Sequence, residues 1–225
     1  MIRVSLDNAE VAFSDRTGGS SMPPYDSLNV GRLTDDDQAA VEANIAKLRE
    51  QLGVNQLQLL RQVHGDAVLD VAVVDDSMPE ADAASTAKTG VGLLATGADC
   101  PPVALAGATR IAIVHGGWRP VAAGLIEKTA ARMGGPFEAV IGPGICQKHF
   151  EVGPEVVEAL GQGAVARTDG RQLDLRGVIA DRLSAAGALN VTDVDRCTFC
   201  EPDAFFSHRR DGGVTGRQAG VIWRT

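Results

Sequence analysis

The chain has 225 residues, of which 44% are hydrophobic and 22% are charged, and its formal net charge is −8. This composition excludes a disordered chain, and no apolar run approaches the ~18 residues of a membrane-spanning helix. The acidic charge argues against a broad nucleic-acid-binding surface, because such a surface requires clustered lysines and arginines. The N-terminus lacks a basic-then-apolar signal pattern, so we expect a cytoplasmic protein.

The first part of the chain predicts a strand or hairpin, a loop and a helix. Residues 1–14 alternate loosely and precede the turn-rich segment DRTGGSSMPPYDS. Arg16 lies in this loop and could help to hold a phosphate, although local sequence alone favours a solvated surface turn. The segment TDDDQAAVEANIAKLREQLGV predicts an amphipathic helix that is capped by Thr34 or an adjacent aspartate, has acids in its first turn and ends at Gly53.

The middle of the chain places two reactive residues beside short apolar runs. Two β-like segments flank His64 in LQLLRQVHGDAVLDVA, and residues 75–90 are small and polar, which predicts a loop or short helix without clear chemistry. The stretch from Leu93 to Pro120 then contains two strand-like apolar runs beside Cys100 and His115. If these runs pair, Cys100 and His115 lie at one end of a sheet.

The remaining sequence alternates helical and strand-like patterns without a linker or an internal repeat. AAGLIEKTAARMGG predicts a helix ended by glycines, residues 155–187 are mostly helical in pattern, and the chain closes with an apolar strand. We therefore expect one domain over residues 1–225. Its predicted class is mixed α/β (α+β), with layered sheets covered by helices and the functional site at the ends of central strands.

His64, Cys100 and His115 are the candidate ligands of a catalytic zinc ion. Each lies beside a predicted strand end and is followed by glycine or proline. Imidazole and thiolate suit zinc, and three protein ligands with one open position are typical of a catalytic site, where zinc activates water or polarises a substrate oxygen. The spacing matches no short metal motif, so a Cys100 nucleophile with His115 as its base remains open.

Five ordered segments resemble the signature blocks of the YfiH family, also called the multicopper polyphenol oxidase or laccase-domain family (DUF152). They are RQVHGD, ATGADCPPVAL, HGGWRP, IGPGICQKHFEVGPEV and FFSHRRDGGVTGRQAGVIW, and SLNVG fits the N-terminal block. The resemblance covers almost the whole chain and implies a YfiH-like fold. It also implies that His64, Cys100 and His115 are the metal ligands. By position in the family blocks, the expected substrate-binding residues are Arg16, Asn29, Arg209 and Arg210, with Arg119 as a further candidate.

The resemblance implies several activities. One is zinc-dependent phosphorolysis of adenosine, inosine, guanosine and methylthioadenosine, with deamination of adenosine. The others are copper-dependent oxidation of phenols and editing of peptidoglycan precursors. A laccase-type oxidase needs many histidines for its several copper centres, and this chain has four. The count favours nucleoside chemistry, with purine nucleosides and phosphate as partners and with zinc, or alternatively copper, as cofactor.

Two alternatives from other classes stay open. The first is a cysteine hydrolase that uses Cys100 and His115, and the second is a metal-stabilised binding protein for nucleosides or cell-wall fragments. For deamination, the chain lacks the HxE and PCxxC motifs of zinc nucleobase deaminases, and Asp66 and Asp99 are only near the site in sequence.

The chain departs from the family pattern at two places. Pro120 follows the HGGWR block where many relatives have glycine, and Lys148 and His149 stand where some carry a cysteine pair. Four cysteines are too few for a disulfide scaffold. A second metal site formed by Cys146, His149, Cys197 and Cys200 is conceivable because CTFC has half-site spacing, but ordinary buried thiols are the favoured interpretation.

Overall fold

Thirteen strands and six α-helices make up the computed structural model, which describes residues 1–225. The strands are β1 (Ile2–Leu6), β2 (Ala9–Phe13), β3 (Gln56–Gln58), β4 (Val68–Asp70), β5 (Ala83–Thr86), β6 (Val91–Gly97), β7 (Pro102–Gly107), β8 (Ile111–His115), β9 (Phe137–Ile141), β10 (Thr168–Asp169), β11 (Gln172–Leu173), β12 (Ala188–Asp193) and β13 (Gln218–Arg224). The helices are α1 (Gln38–Leu52), α2 (Trp118–Ala122), α3 (Leu125–Ala131), α4 (Pro154–Leu160), α5 (Gln162–Val165) and α6 (Leu175–Ala185), and one 3-10 turn spans Gln147–His149.

The strands form two large sheets and one small ribbon. The first sheet has the order β1-β2-β13-β6-β3, and the second has the order β12-β9-β7-β8-β5-β4. β10 and β11 form the ribbon. β6 belongs to the first sheet and β7 to the second, so the short connection that contains Cys100 passes from one sheet to the other.

Side-chain alternation along the strands explains how the layers pack. In β7, Val103 and Leu105 belong to a core cluster shared with α2, α3, α4 and α6. Ala104 and Ala106 belong to a different cluster, shared with strands of the first sheet. Successive residues of a strand point to opposite faces, so one strand serves both interfaces. A third cluster packs α1 on the outer face of the first sheet.

The layers therefore follow the order helix, sheet, sheet, helices. This arrangement confirms the predicted single mixed α/β domain with layered sheets covered by helices. No helix of the chain is long and apolar enough to cross a bilayer.

Helix α1 begins and ends close to the predicted residues. The Asp37 side chain caps it by accepting a hydrogen bond from the Ala39 N–H, and Gly53 ends it with a left-handed φ of 68°. The expectation of acids in the first turn was wrong, because the acidic run precedes the helix. One of these acids, Asp36, instead accepts a hydrogen bond from the buried Asn29 amide.

Strand β5 corrects the prediction of a loop or short helix for residues 75–90. All four of its residues are buried, and it pairs parallel to β4 and antiparallel to β8. The small residues of β5 and the polar ones around it give no apolar run. Its strand conformation depends on hydrogen bonds to two neighbours that are distant in sequence.

The apolar runs on either side of residues 108–110 pair, which meets the condition for Cys100 and His115 to share one end of a sheet. β7 and β8 are antiparallel, and Pro102 at the start of β7 lies opposite His115 at the end of β8. Cys100 precedes β7 by two residues, so it lies at the same edge of the sheet as His115.

Candidate active site

Three side chains that are distant in sequence converge at this sheet edge. The ligand atoms of His64, Cys100 and His115 all lie within 4.8 Å of one another. The two imidazole rings are 4.7 Å apart between centroids and meet edge to face, with an interplanar angle of 73°. His115 is buried, Cys100 is half-buried and His64 is exposed, so the group is open to solvent on one side.

A buried aspartate, Asp82, holds two of these three residues in place. Its carboxylate lies 2.7 Å from His115 Nδ1 and accepts backbone N–H bonds from Val63, His64 and Gly65 at 2.8–3.0 Å. Asp82 itself is fully buried. With Nδ1 bonded to the carboxylate, the Nε2 atom of His115 is left for a ligand or a metal ion.

His64 has a backbone conformation that needs this support. Its φ is 58°, in the left-handed region that side chains other than glycine rarely adopt. Such a conformation costs about 1–3 kcal/mol and persists where surrounding bonds over-determine it. The three N–H bonds to Asp82 supply that restraint.

The segment before Cys100 is restrained in a similar way by Asp99. Its φ is 95°, and its carboxylate accepts a 2.6 Å hydrogen bond from Thr198 Oγ1 and a 2.7 Å bond from the Arg209 N–H. Asp99 therefore ties the Cys100 segment to the chain that precedes β13. Asp66, the other acid near the site in sequence, is exposed and pairs with Lys128.

The electrostatic environment favours a thiolate beside an imidazolium when no metal is bound. Burial opposes ionisation of the Cys100 thiol, but charge and hydrogen bonds from His115 and His64 lower its pKa to about 6. Burial likewise disfavours the charged form of His115, but Cys100 and Asp82 raise its pKa to about 9. A thiolate is the form of cysteine that binds metals and attacks electrophiles.

The donor set and its surroundings fit zinc. Two imidazoles and a thiolate form a three-ligand set with an open side, and the aspartate behind His115 matches the carboxylate–histidine pairs that orient zinc ligands. Gly117 keeps the space beside the ligands free. A Cβ atom at Gly117 would lie 3.2 Å from His64 Cδ2 and 3.3 Å from Cys100 Sγ.

A cavity of about 450 Å³ opens over the three residues. This volume lies within the range of small-molecule sites. The lining includes all three ligand candidates, a set of large apolar side chains and four arginines. The apolar members include Leu33, Leu59, Leu60, Met78, Leu94, Trp118, Ile145 and Phe150, and the arginines are Arg32, Arg119, Arg209 and Arg217.

Of the four residues expected to bind substrate, Arg209 alone lines this cavity. The Arg16 guanidinium bonds to Asp26 and to the Pro202 carbonyl and stacks over Phe206. Arg210 donates to three backbone carbonyls and to Asp211. Both guanidinium groups thus donate their hydrogen bonds to other groups of the chain. A substrate-binding role for Arg16 and Arg210 stays a prediction without support from the geometry.

Asn29 is fully buried and does not line the cavity, but it bonds to residues that do. Its Oδ1 atom accepts the N–H groups of Gly31 and Arg217 at 2.9 and 2.8 Å, and its amide donates to Thr34 and Asp36. These bonds join the segment after β2 to the segment before β13. Asn29 thereby positions Gly31, Thr34 and Arg217, which line the cavity.

Sequence reasoning missed Arg217 and Asp82. Burial lowers the pKa of the Arg217 guanidinium, while nearby Cys100 and Asp99 oppose this effect. The Arg217 Nη1 atom donates to the carbonyls of Thr215 and Gly216. Arg217 lies in the same glycine-rich block as Arg209 and Arg210, but the sequence analysis did not single it out within that block.

The other cavity arginines differ in how free they are. Arg32 pairs with Glu42 through two hydrogen bonds, and Arg209 donates to the carbonyls of His149 and Glu151. Arg119 is exposed and stacks over the Trp118 ring at 4.4 Å without a hydrogen bond to the chain. It is therefore the cavity arginine with the most free donors.

Known proteins resemble the chain in sequence over nearly its whole length. The purine nucleoside phosphorylase YfiH of Escherichia coli is 35% identical over 223 residues, which cover 93% of this chain and 91% of the relative. A purine nucleoside phosphorylase of Pseudomonas aeruginosa is 38% identical over 223 residues, covering 92% of this chain and 90% of the relative.

Solved structures resemble the fold equally closely. A Neisseria meningitidis protein of family DUF152 superposes with a TM-score of 0.93 at 32% identity, covering 99% of this chain and 98% of the other. YlmD from Geobacillus stearothermophilus gives a TM-score of 0.87 at 29% identity, with 97% and 92% coverage. The family described as multi-copper polyphenol oxidoreductase laccase matches residues 10–225. The chain therefore belongs to this laccase-like family, which includes the proteins called YfiH and DUF152.

Proposed function

We propose that the protein is a zinc-dependent purine nucleoside phosphorylase that accepts adenosine, inosine, guanosine and methylthioadenosine, with adenosine deaminase as a second activity. The observation that carries the proposal is the composition of one cavity, in which the candidate metal ligands, large apolar side chains and four arginines meet. The relatives named as purine nucleoside phosphorylases at 35–38% identity support the same reaction.

The residues of the cavity suit the two substrates. Apolar side chains such as Leu94, Ile145 and Phe150 offer surface for a purine ring. Arg119, Arg209 and Arg217 offer N–H donors for phosphate, whose oxygens guanidinium groups bind in pairs. This assignment replaces Arg16 and Arg210 by Arg119 and Arg217 as the proposed anion ligands.

The reaction joins a phosphate oxygen to the anomeric carbon as the bond from that carbon to the purine nitrogen breaks. The bonding electrons move onto the purine, which then takes up a proton. Arginines that hold the phosphate against the sugar convert a bimolecular encounter into a positioned one and balance the charge of the anion. A zinc ion held by His64, Cys100 and His115 would supply a Lewis acid for a substrate oxygen or for the water used in deamination.

The test is a product assay with the metal quantified in the same sample. Adenosine plus phosphate should give adenine and ribose 1-phosphate, and adenosine alone should give inosine and ammonia. When phosphate is then added, this inosine should be converted to hypoxanthine and ribose 1-phosphate. Unchanged nucleosides in the presence of bound zinc would refute the proposal.

Arginine variants locate the phosphate. Arg119→Ala and Arg209→Ala should each raise the KM for phosphate about 10- to 100-fold, because a hydrogen bond to a charged group is worth about 1.5–3 kcal/mol. Arg132→Ala is the matched control, since Arg132 is exposed and lies outside the cavity. An equal effect of all three variants would place the anion elsewhere.

One geometric feature favours a second candidate function. Asp82, His115 and Cys100 form an acid–imidazole–thiol series with a lowered pKa for the thiol, as in a cysteine hydrolase. In that case the metal-free protein keeps its activity and alkylation of Cys100 abolishes it. In the phosphorylase, a chelator removes activity and zinc restores it.

A further inference from the structure

A second cluster of metal-ligating side chains lies apart from His64, Cys100 and His115. The ligand atoms of Cys146, His149 and Cys200 all lie within 4.8 Å of one another. Cys197 joins them, because its Sγ atom is 3.0 Å from that of Cys146, which in turn is 3.9 Å from the Sγ atom of Cys200. The three sulfur atoms thus form a contact series, and the His149 imidazole lies within 4.8 Å of two of them.

The four side chains come from two half-sites with the same spacing. Cys146 and His149 are separated by two residues, and Cys197 and Cys200 are likewise separated by two. A pair of ligands on each of two tight turns is the usual construction of a structural zinc site with three cysteines and one histidine. Each turn alone supplies only two of the four ligands, so a zinc site of this kind forms only if the fold brings the two turns together.

Backbone hydrogen bonds join the two turns. Gly144 and Cys197 form a parallel β-bridge, in which the Gly144 N–H donates to the Arg196 carbonyl and the Thr198 N–H donates to the Gly144 carbonyl. The Cys146 N–H also donates to Cys197 Sγ at 3.3 Å. An N–H bond to sulfur stabilises a thiolate, which is the form that binds a metal.

His149 is held in position by its neighbours. Its ring stacks on Phe199 with a centroid separation of 4.1 Å and an interplanar angle of 17°. Phe199 lies between the two cysteines of the second half-site. The His149 N–H donates to the Cys146 carbonyl, which closes the first turn and places both of its ligands on one side.

Simple packing does not account for the cluster. Inert structural cysteines are buried, whereas Cys200 is exposed and Cys146 is half-buried. A disulfide between Cys146 and Cys197 would explain their closeness but not the approach of Cys200 and His149. The sequence-based expectation of ordinary buried thiols therefore fits Cys197 alone.

We propose that Cys146, His149, Cys197 and Cys200 form a structural zinc site. Zinc binds three thiolates and a neutral imidazole there, and the three thiol protons pass to solvent. The ion fastens the segment after β9 to the segment before β13. Ile145 and Phe150, which flank the first half-site, line the cavity, so this zinc holds one of its walls in place.

Metal counting on the full-length protein tests the site. Protein loaded with excess zinc and then desalted should lose one zinc per chain on Cys200→Ser substitution, relative to the wild type. The difference between the two proteins is decisive, because it does not depend on whether Cys100 also binds an ion. His208→Ala is the control for adventitious binding, since His208 is exposed and lies outside both clusters, and it should leave the count unchanged.

Two further measurements exclude the alternatives that Cys200→Ser loses zinc by misfolding and that Cys146 and Cys197 form a disulfide. Cys200→His supplies a nitrogen ligand at the same position and should regain the zinc that Cys200→Ser loses. Cobalt in place of zinc should give a thiolate charge-transfer band that weakens in Cys200→Ser and persists in Cys100→Ser. Equal zinc in the wild type and Cys200→Ser would overturn the proposal, as would a Cys146–Cys197 disulfide in freshly purified, metal-free protein.

Discussion

At the scale of single residues, Asp82 makes the hydrogen bonds that hold two of the three candidate metal ligands in position. One buried carboxylate bonds to the His115 ring and to three successive N–H groups of the His64 segment. These contacts order two candidate ligands at once and leave the Nε2 atom of His115 available to the cavity. Residues that support metal ligands in this way commonly change metal affinity 10- to 100-fold when they are replaced.

Asp82→Asn is therefore expected to weaken zinc binding about 10- to 100-fold and to lower the free energy of unfolding by about 3 kcal/mol. The amide has the same shape but turns a donor toward groups that now donate to the carboxylate. Competition with a chelator measures the first effect and urea unfolding measures the second. Asp66→Asn is the control, because Asp66 is exposed and pairs with Lys128 at the surface, so zinc affinity and stability should both stay close to the wild-type values.

Gly117→Ala tests the space beside the ligands. The backbone of Gly117 is extended, with φ −70° and ψ 152°, so alanine is conformationally allowed there. Its Cβ would press on His64 and Cys100 at 3.2–3.3 Å. Overpacking of this kind costs about 1–3 kcal/mol, so zinc affinity should fall about 5- to 150-fold.

The matched control for this substitution is Gly135→Ala, since an added Cβ at Gly135 meets nothing within 4 Å. Zinc affinity should be unchanged in that variant. If Gly117→Ala also bound zinc like the wild type, His64 and Cys100 would not be ligands of one ion.

The sequence predicts a residue of this site only where its type, its position at a strand end or its place in a family block distinguishes it. His64, Cys100 and His115 are rare residue types at strand ends, and the family blocks contain them, so they were found. Asp82 is one of many acids in a small, polar segment, and its role exists only after β5 pairs with β8. The geometry supports only part of the choice among arginines for a related reason, because local sequence does not tell which guanidinium groups bond to backbone carbonyls.

At the scale of elements, α1 shows how a local rule predicts a helix boundary. Thr34 or an adjacent aspartate was expected to cap the helix, and Asp37 does so with a 2.9 Å bond from the Ala39 N–H. The apolar periodicity was also predictive, since Val41, Ile45, Leu48 and Leu52 are all buried. Strand β5 shows the opposite case, in which pairing with distant strands decides the conformation.

Asp37→Ala should lower the free energy of unfolding by about 1 kcal/mol, because the substitution leaves an N–H group at the helix start without its partner. Asp35→Ala removes an exposed neighbour from the same acidic run, and no hydrogen bond to its side chain is lost. It should change stability by less than about 0.5 kcal/mol. Urea titration of both variants measures the difference, and equal losses would show that charge and not capping matters.

At the scale of the whole molecule, the cavity lies where the two sheets and the C-terminal segment meet. The first sheet contributes the end of β6, the second contributes the Cys100 and His115 edge, and the segment before β13 contributes Arg209 and Arg217. The layered architecture followed from element patterns and family blocks. The convergence of these segments could not be predicted from the sequence, because it depends on long-range contacts such as Asn29 with Arg217 and Asp99 with Arg209.

This convergence couples the proposed zinc binding to global folding. His64, Cys100 and His115 belong to separate connections and strand ends, so unfolding disperses them, and a zinc ion held by them would bind chiefly to the native state. At a free zinc concentration of 100 Kd, binding should add about 2.7 kcal/mol to the free energy of unfolding. For a chain of this length, that corresponds to a rise in Tm of about 5–11 °C.

Thermal unfolding in metal-buffered solutions checks this expectation at this site. The parent protein for this comparison carries Cys146→Ser and Cys200→Ser, which exclude the second cluster. It is compared with two variants of the same parent, one with Cys100→Ser and one with His208→Ala added. His208→Ala should show the full zinc-dependent rise in Tm, because His208 lies outside the ligand set although it lines the same cavity. Cys100→Ser should show little or none, since two histidines hold zinc far more weakly than two histidines and a thiolate. A rise of equal size in all three proteins would mean that the stabilising ion binds elsewhere.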